Sequence, residues 1–117
     1  MSSRSVGNLA EERAAQFLQR QGYRVLERNF TCRVGEVDIV AEDGDVLCFV
    51  EVRSRATSRY GDAAESITAL KRHRIALAAR HYLVHRRIDE RACRFDVVTF
   101  DGNAEPKLLR DAFDLSR

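Results

Sequence analysis

Two runs of strand-like alternation, Gly35 to Ala41 and Val46 to Ser54, stand on either side of Glu42-Asp43-Gly44-Asp45. Acid–glycine pairs between such runs favour the tight turns that join antiparallel strands. A central hairpin is therefore the element around which the rest of the chain must pack. Side chains alternate along a strand. Val37, Ile39 and Ala41 are predicted to share one face of the first run, and Cys48, Val50 and Val52 one face of the second. With an even number of residues in the turn, these two sets coincide as a core face. The opposite face then carries Glu36, Asp38 and Val40 across from Leu47, Phe49, Glu51 and Arg53. It is apolar near the turn and charged away from it. A sheet that is apolar on both faces near one end is covered on both sides, which puts the acids at the edge of a covered region.

The flanking segments supply the cover. Ala10, Ala14, Phe17 and Leu18 recur at helical spacing and predict a helix from about Val6 to Gln21. Gly22 stops it, and Tyr23 to Phe30 reads as a strand. After a polar loop from Ala56 to Asp62, a second helical pattern runs from Ala63 to about Arg87. Cys93 to Phe100 reads as a strand, Asp101-Gly102-Asn103 as a turn, and Lys107 to Ala112 as a short last strand. The expected order is α-β-β-β-α-β-β, an α/β fold with a mixed sheet and two long helices. A length of 117 residues suits a single domain, 1–117, around one core. Hydrophobic residues at 44% and charged residues at 32% exclude a disordered chain.

The net charge of +2 neither demands nor excludes a polyanionic partner. Eighteen of the twenty basic residues are arginine, which permits phosphate binding without arguing for it. The three cysteines are odd in number, widely spaced and lack a Cys-x-x-Cys pair, so neither a zinc site nor a disulfide framework is expected. Cys48 and Cys93 lie in apolar runs and read as small core residues. Met1 to Gly7 lacks the apolar stretch of a signal peptide, and no run approaches transmembrane length. A cytoplasmic protein with no membrane partner is the expectation.

Chemistry concentrates at the charged end of the hairpin. Asp38 and Glu51 fall opposite or diagonal to one another, with Cβ atoms roughly 4.5–5.5 or 7–8 Å apart. Carboxylates at that separation can share a divalent ion, and an oxygen-rich site suits Mg²⁺ or Mn²⁺. Such an ion activates water and neutralises charge on a phosphodiester. Arg53, on the same face, could hold the phosphate or orient the water. The same spacing also describes a solvated salt-bridge ladder of Glu36, Asp38, Glu51 and Arg53, and spacing alone does not choose. Glu11, at the edge of the first helix's buried stripe, either makes a local i,i+4 contact or joins the cluster if that helix packs on the acid face. On the second helix Ile67, Lys71, Ile75, Ala78 and Tyr82 form one stripe. Lys71 there either snorkels outward or meets a carboxylate, within reach of the acids or a substrate phosphate. His81 and His85 have the i,i+4 spacing of a metal pair, but no acid or cysteine stands near them, and a solvated helix face is expected. Lys71-Arg72-His73-Arg74 and Arg86-Arg87 make this helix the best candidate for backbone contacts to nucleic acid.

The ordered set of motifs resembles the YraN (UPF0102) family: Glu11-x-x-Ala14-x-x-Phe17-Leu18-x-x-x-Gly22-Tyr23, Arg28-Asn29-Phe30, Gly35-Glu36-Val37-Asp38-Ile39-Val40-Ala41, Phe49-Val50-Glu51-Val52-Arg53-x-Arg55, Tyr60-Gly61-x-Ala63, the helix from Lys71 to Leu83, and Arg94-Phe95-Asp96-Val97-Val98. The likeness covers about residues 7 to 100. It implies a restriction-endonuclease-like PD-(D/E)XK fold, similar to archaeal Holliday-junction resolvases. It also implies that Glu11, Asp38 and Glu51 take the acidic metal positions for Mg²⁺ or Mn²⁺, and that Arg53 takes the superfamily's lysine position. An arginine effectively cannot lose its proton, so a general base at that position is excluded. Orientation of phosphate or water remains, or the lysine's task falls to Lys71. The expected activity is Mg²⁺-dependent endonucleolytic hydrolysis of DNA, in preference to RNA, on branched or damaged structures. Asp38, Glu51, Arg53 and Glu11 would be the catalytic set, Lys71, Arg55 and Arg74 the nucleic-acid contacts, and a two-fold homodimer the assembly a resolvase wants. The alternative is a catalytically inactive nucleic-acid-binding module or scaffold that keeps the nuclease fold.

Overall fold

Gly44, at φ +60°, occupies the first of the two central positions of the hairpin turn, where a two-residue connection takes glycine. Asp43 and Val46 pair on either side of it. Around this turn the computed structural model describes residues 3–55, 67–102 and 105–114, with side chains from Leu9 on in the first helix and as far as Ser54 in the third strand. The elements run α1 (Ser3–Arg20), β1 (Arg24–Cys32), β2 (Gly35–Asp43), β3 (Val46–Arg55), α2 (Ala69–His85), β4 (Cys93–Asp101) and β5 (Lys107–Leu109). The five strands form one mixed sheet in the order β1-β2-β3-β4-β5. Only β3 and β4 are parallel, joined by the crossover that contains α2; the other neighbours are antiparallel.

Both faces of the sheet are covered. On one, Ala14, Ala15 and Leu18 of α1 bury Ile39, Ala41, Cys48, Val50 and Val98. On the other, Ala78, Ala79 and Tyr82 of α2 bury Val37, Val40, Leu47 and Phe49. The ring of Tyr82 meets Phe30 and Phe49 edge-on, at 5.2 and 5.8 Å between centroids, the geometry that aromatic quadrupoles favour. Among the described residues no helix is long and apolar enough to cross a membrane.

Five expectations need correction. Val37 does not share a face with Ile39 and Ala41 but packs against α2. The pleat is interrupted beside it, because Asn29 of β1, opposite Asp38, has a left-handed backbone at φ 56°. Such a residue locally reverses the strand's alternation, and asparagine tolerates the conformation. The helix expected from Ala63 begins at Ala69: Thr68 is its N-cap, with its hydroxyl accepting the Lys71 N–H at 3.1 Å. Ile67 is buried but lies before the helix, while 63–66 and the expected loop at 56–62 lie outside the described residues. The helix also ends at His85, not Arg87, where Arg87 turns left-handed at φ 54°. The last strand stops at Leu109, because Asp111 turns left-handed at φ 53° and donates its N–H to Asp96. Cys93 is exposed at the first position of β4, unlike buried Cys48.

Candidate active site

The β2–β3 ladder runs from the turn as far as Ile39 and Val50 and ends there. The next pair in that register is Asp38 and Glu51. Instead of continuing the backbone ladder, the Asp38 carboxylate accepts the Val52 N–H at 2.8 Å. The hairpin thus opens into a fork, and Asp38 stands in its crotch. Glu51 is buried beside it. From the α2 side, Lys71 places its Nζ 3.2 Å from Glu51 Oε1. This resolves the choice left open for Lys71: the ammonium meets a carboxylate while its side chain stays 43% exposed.

Glu11 reaches the same place from the other layer. Its helix packs on the Ile39 and Val50 face, not on the face that carries Glu51. The broken pleat at Asp38 lets both layers reach one point. Glu11 accepts a hydrogen bond from Asn29, and burial followed by the negative charge of Asp38 raises its pKa, with Arg28 opposing. Its Oε1 is buried without a hydrogen-bond partner. Burial is also the largest influence on Glu51, followed by the charge of Asp38 and a hydrogen bond with it; these push the carboxyl up to about 8 although Lys71 pulls the other way. Glu51 thus hydrogen-bonds Asp38 on one side and meets the Lys71 ammonium on the other.

Three carboxylates from α1, β2 and β3 therefore interact in a partly dry place, where the charge of Asp38 acts on both Glu11 and Glu51. Such groups require pairing or a bound cation. The donor set is all oxygen, with one buried oxygen unpaired, and fits a hard divalent ion of the Mg²⁺ or Mn²⁺ kind. It is not a ready-made cage: among the described residues, no three His, Cys, Asp or Glu side chains converge closely enough to enclose an ion. His81 and His85 are both exposed on α2 and belong to no such group.

Beside the fork lies a cleft of about 870 Å³ between the Thr31–Glu36 segment and the first half of α2. Gly35 makes this approach possible: a Cβ there would stand 2.5 Å from the Arg74 carbonyl oxygen, so any side chain would force β2 and α2 apart. Lys71 and Arg74 line the cleft, as do Arg33 and Glu36. Arg53 follows Glu51 by two residues on β3 and is half-buried. The side chain of Arg55 lies outside the described residues, as does the Tyr60–Ala63 motif. Sequence reasoning opposed Asp38 to Glu51, left Lys71 between water and a carboxylate, and missed Asn29, Arg33 and the packing role of Gly35. Asn29 sits in an otherwise strand-like run, where an αL-tolerant residue is the one signal that could have marked it.

Fold and site define the chain as an α/β protein with a carboxylate cluster at the fork of its central hairpin. Residues 10–100 match the model of a family described as "Uncharacterised protein family UPF0102", and the chain belongs to this YraN (UPF0102) family. It is 52% identical over 108 residues to a UPF0102 protein of Alkalilimnicola ehrlichii, covering 92% of this chain and 85% of that one. A UPF0102 protein of Pseudomonas aeruginosa is 50% identical over 119 residues, covering 97% and 95%. One of Myxococcus xanthus is 47% identical over 102 residues, covering 87% and 81%.

Proposed function

We propose that the chain is a PD-(D/E)XK-type, divalent-metal-dependent endonuclease that hydrolyses DNA phosphodiesters. The observation that carries this reading is the meeting of Glu11, Asp38 and Glu51 from three separate elements, with the Glu11 Oε1 buried and unpaired. Each has a donor, but Asp38 also acts on both glutamates and raises their pKa values. Asp38 and Glu51 would hold the ion, with Glu11 assisting. A divalent ion bound there supplies Lewis-acid activation of water and neutralises charge on the phosphodiester. The chain's own residues do the positioning. Lys71, already directed at Glu51, offers a cation to a phosphate in the adjoining cleft. Arg53 orients phosphate or water as a fixed cation. Arg74 extends the cationic wall. Branched DNA is the substrate suggested by the likeness to resolvases, with a two-fold homodimer as the matching assembly.

Calorimetry with Mg²⁺ and Mn²⁺ on the parent and on Asp38→Asn tests the assignment. The expected result is binding by the parent, lost in the variant, together with metal-dependent DNA cleavage that Asp38→Asn abolishes. Undiminished cleavage by Asp38→Asn overturns it. One observation favours a second reading: Arg53 stands where a titratable lysine would be expected, which suits a module that binds nucleic acid without cutting it. Binding that ignores metal, with no cleavage under any divalent ion, would select that reading.

A further inference from the structure

Val34 and Leu70 are large apolar side chains left 36% and 59% exposed. Scattered singly, such residues need no explanation. These two border the same cleft, Val34 from the turn before β2 and Leu70 from the first turn of α2. The wall they share also carries Arg33, Lys71 and Arg74 against the single acid Glu36. Arg33 and Arg74 are exposed. A concave surface with excess positive charge and apolar lips suits a ligand that is anionic along one edge and apolar along the other. At about 870 Å³ the cleft lies within the range of roughly 300–1,000 Å³ that encloses ligands of drug size. Its volume suits a short stretch of one nucleic-acid strand. The bases of a duplex are stacked on one another and offer no faces to Val34 or Leu70. The bases of an unpaired strand do.

We propose that this cleft receives an unpaired DNA strand, its phosphates along Arg33 and Arg74 and its bases against Val34 and Leu70. The choice of DNA rests on the nuclease reading above; the preference for an unpaired strand rests on the cleft alone. An enzyme built this way would act where a strand is already free, beside a nick, flap, bubble or junction.

The test is fluorescence anisotropy on the full chain in EDTA, with one labelled DNA oligonucleotide used single-stranded and annealed to its complement. The single strand should bind more tightly. The Val34→Ser, Leu70→Ser double variant should weaken single-strand binding roughly tenfold, the order expected for one or two aliphatic contacts, and leave duplex binding unchanged. Arg33→Ala with Arg74→Ala should weaken both forms and reduce the single-strand salt slope by about 0.7 per lost phosphate contact. Equal affinity for the two forms, or a double serine variant that holds the single strand as well as the parent does, overturns the proposal. Tighter capture of the RNA of the same sequence overturns the choice of DNA. Because EDTA removes metal from every arm, strand preference without cation binding at Asp38 would remove the nuclease and leave the cleft. Cation binding without strand preference would do the reverse.

Discussion

Two buried acids on adjacent strands of one sheet have opposite surroundings. Asp96 of β4 pairs across from Val50 and faces the α1 layer, one residue along from Glu51, which faces α2. Asp96 has no exposed surface. It accepts the Tyr23 hydroxyl at 2.7 Å, two Arg94 nitrogens at 2.9 and 3.0 Å, and the Asp111 N–H at 2.9 Å. Burial alone would raise its pKa, but the Arg94, Tyr23 and Asp111 donors outweigh burial and lower it. Arg94 also donates to Asp43 at 2.8 Å, so the network ties the start of β1, the hairpin turn and the segment after β5 together. Glu51 has one cation and one neighbouring acid, and its pKa is raised. A buried carboxylate with four donors is finished structure. Glu51, which meets one lysine and another carboxylate, is not balanced in that way, and this difference separates the two without reference to any reaction.

The comparison breaks most readily at Asp96. Asp96→Asn removes the buried one of the two carboxylates that Arg94 pairs with, along with the charged acceptor of Tyr23 and Asp111, a change that costs about 3–5 kcal/mol for buried pairs. Urea denaturation should show a stability loss of that order, and a loss below about 1 kcal/mol would mean the network is not what holds the sheet to its C-terminal segment. A smaller effect is expected at its rim. Tyr23→Phe removes the hydroxyl that donates to Asp96 and accepts from Arg94, a loss of about 1.5–3 kcal/mol, and should leave cation binding at the fork untouched. A change in cation affinity in this variant would show that the two acids are coupled through the sheet.

The hairpin was legible because a two-residue turn and a period of two are local properties, and together they oppose Asp38 to Glu51. The place of Glu11 beside Asp38 was not: it goes with Asn29, which donates to Glu11 and has a left-handed backbone where Val37 turns to the α2 side. Nothing in the residues around Asn29 distinguishes this from ordinary strand. Thr68 was a readable cap, but the alanines before it extended the helical pattern and hid the boundary. The network at Asp96 was not legible, since its phenol donor lies 73 residues away in sequence and no local pattern carries such a partner. The approach of α2 to Gly35 escaped for the same reason: a glycine opening a strand reveals nothing about the backbone 39 positions later that packs on it.

The effect at Glu51 sharpens the comparison most, because its sign is opposite to that at Asp96. The Glu51 carboxyl is raised from 4.5 to about 8 on folding. Between those values the folded chain holds a proton that the unfolded chain has released. Stability therefore falls as pH rises through this window. Asp96, with a lowered pKa, contributes stability above the ordinary carboxylate range and loses it as pH falls. Glu51→Gln keeps the shape, removes the titration and leaves Lys71, 43% exposed, to water. The variant should match the parent near pH 5 and exceed it near pH 8, with the slope of stability against pH flattened over that range. It should also lose divalent-ion binding. In the parent, ion affinity should climb through the same window, since the ion competes with the proton for Glu51. A Glu51→Gln protein that is less stable than the parent at alkaline pH would make Glu51 structural, as Asp96 is.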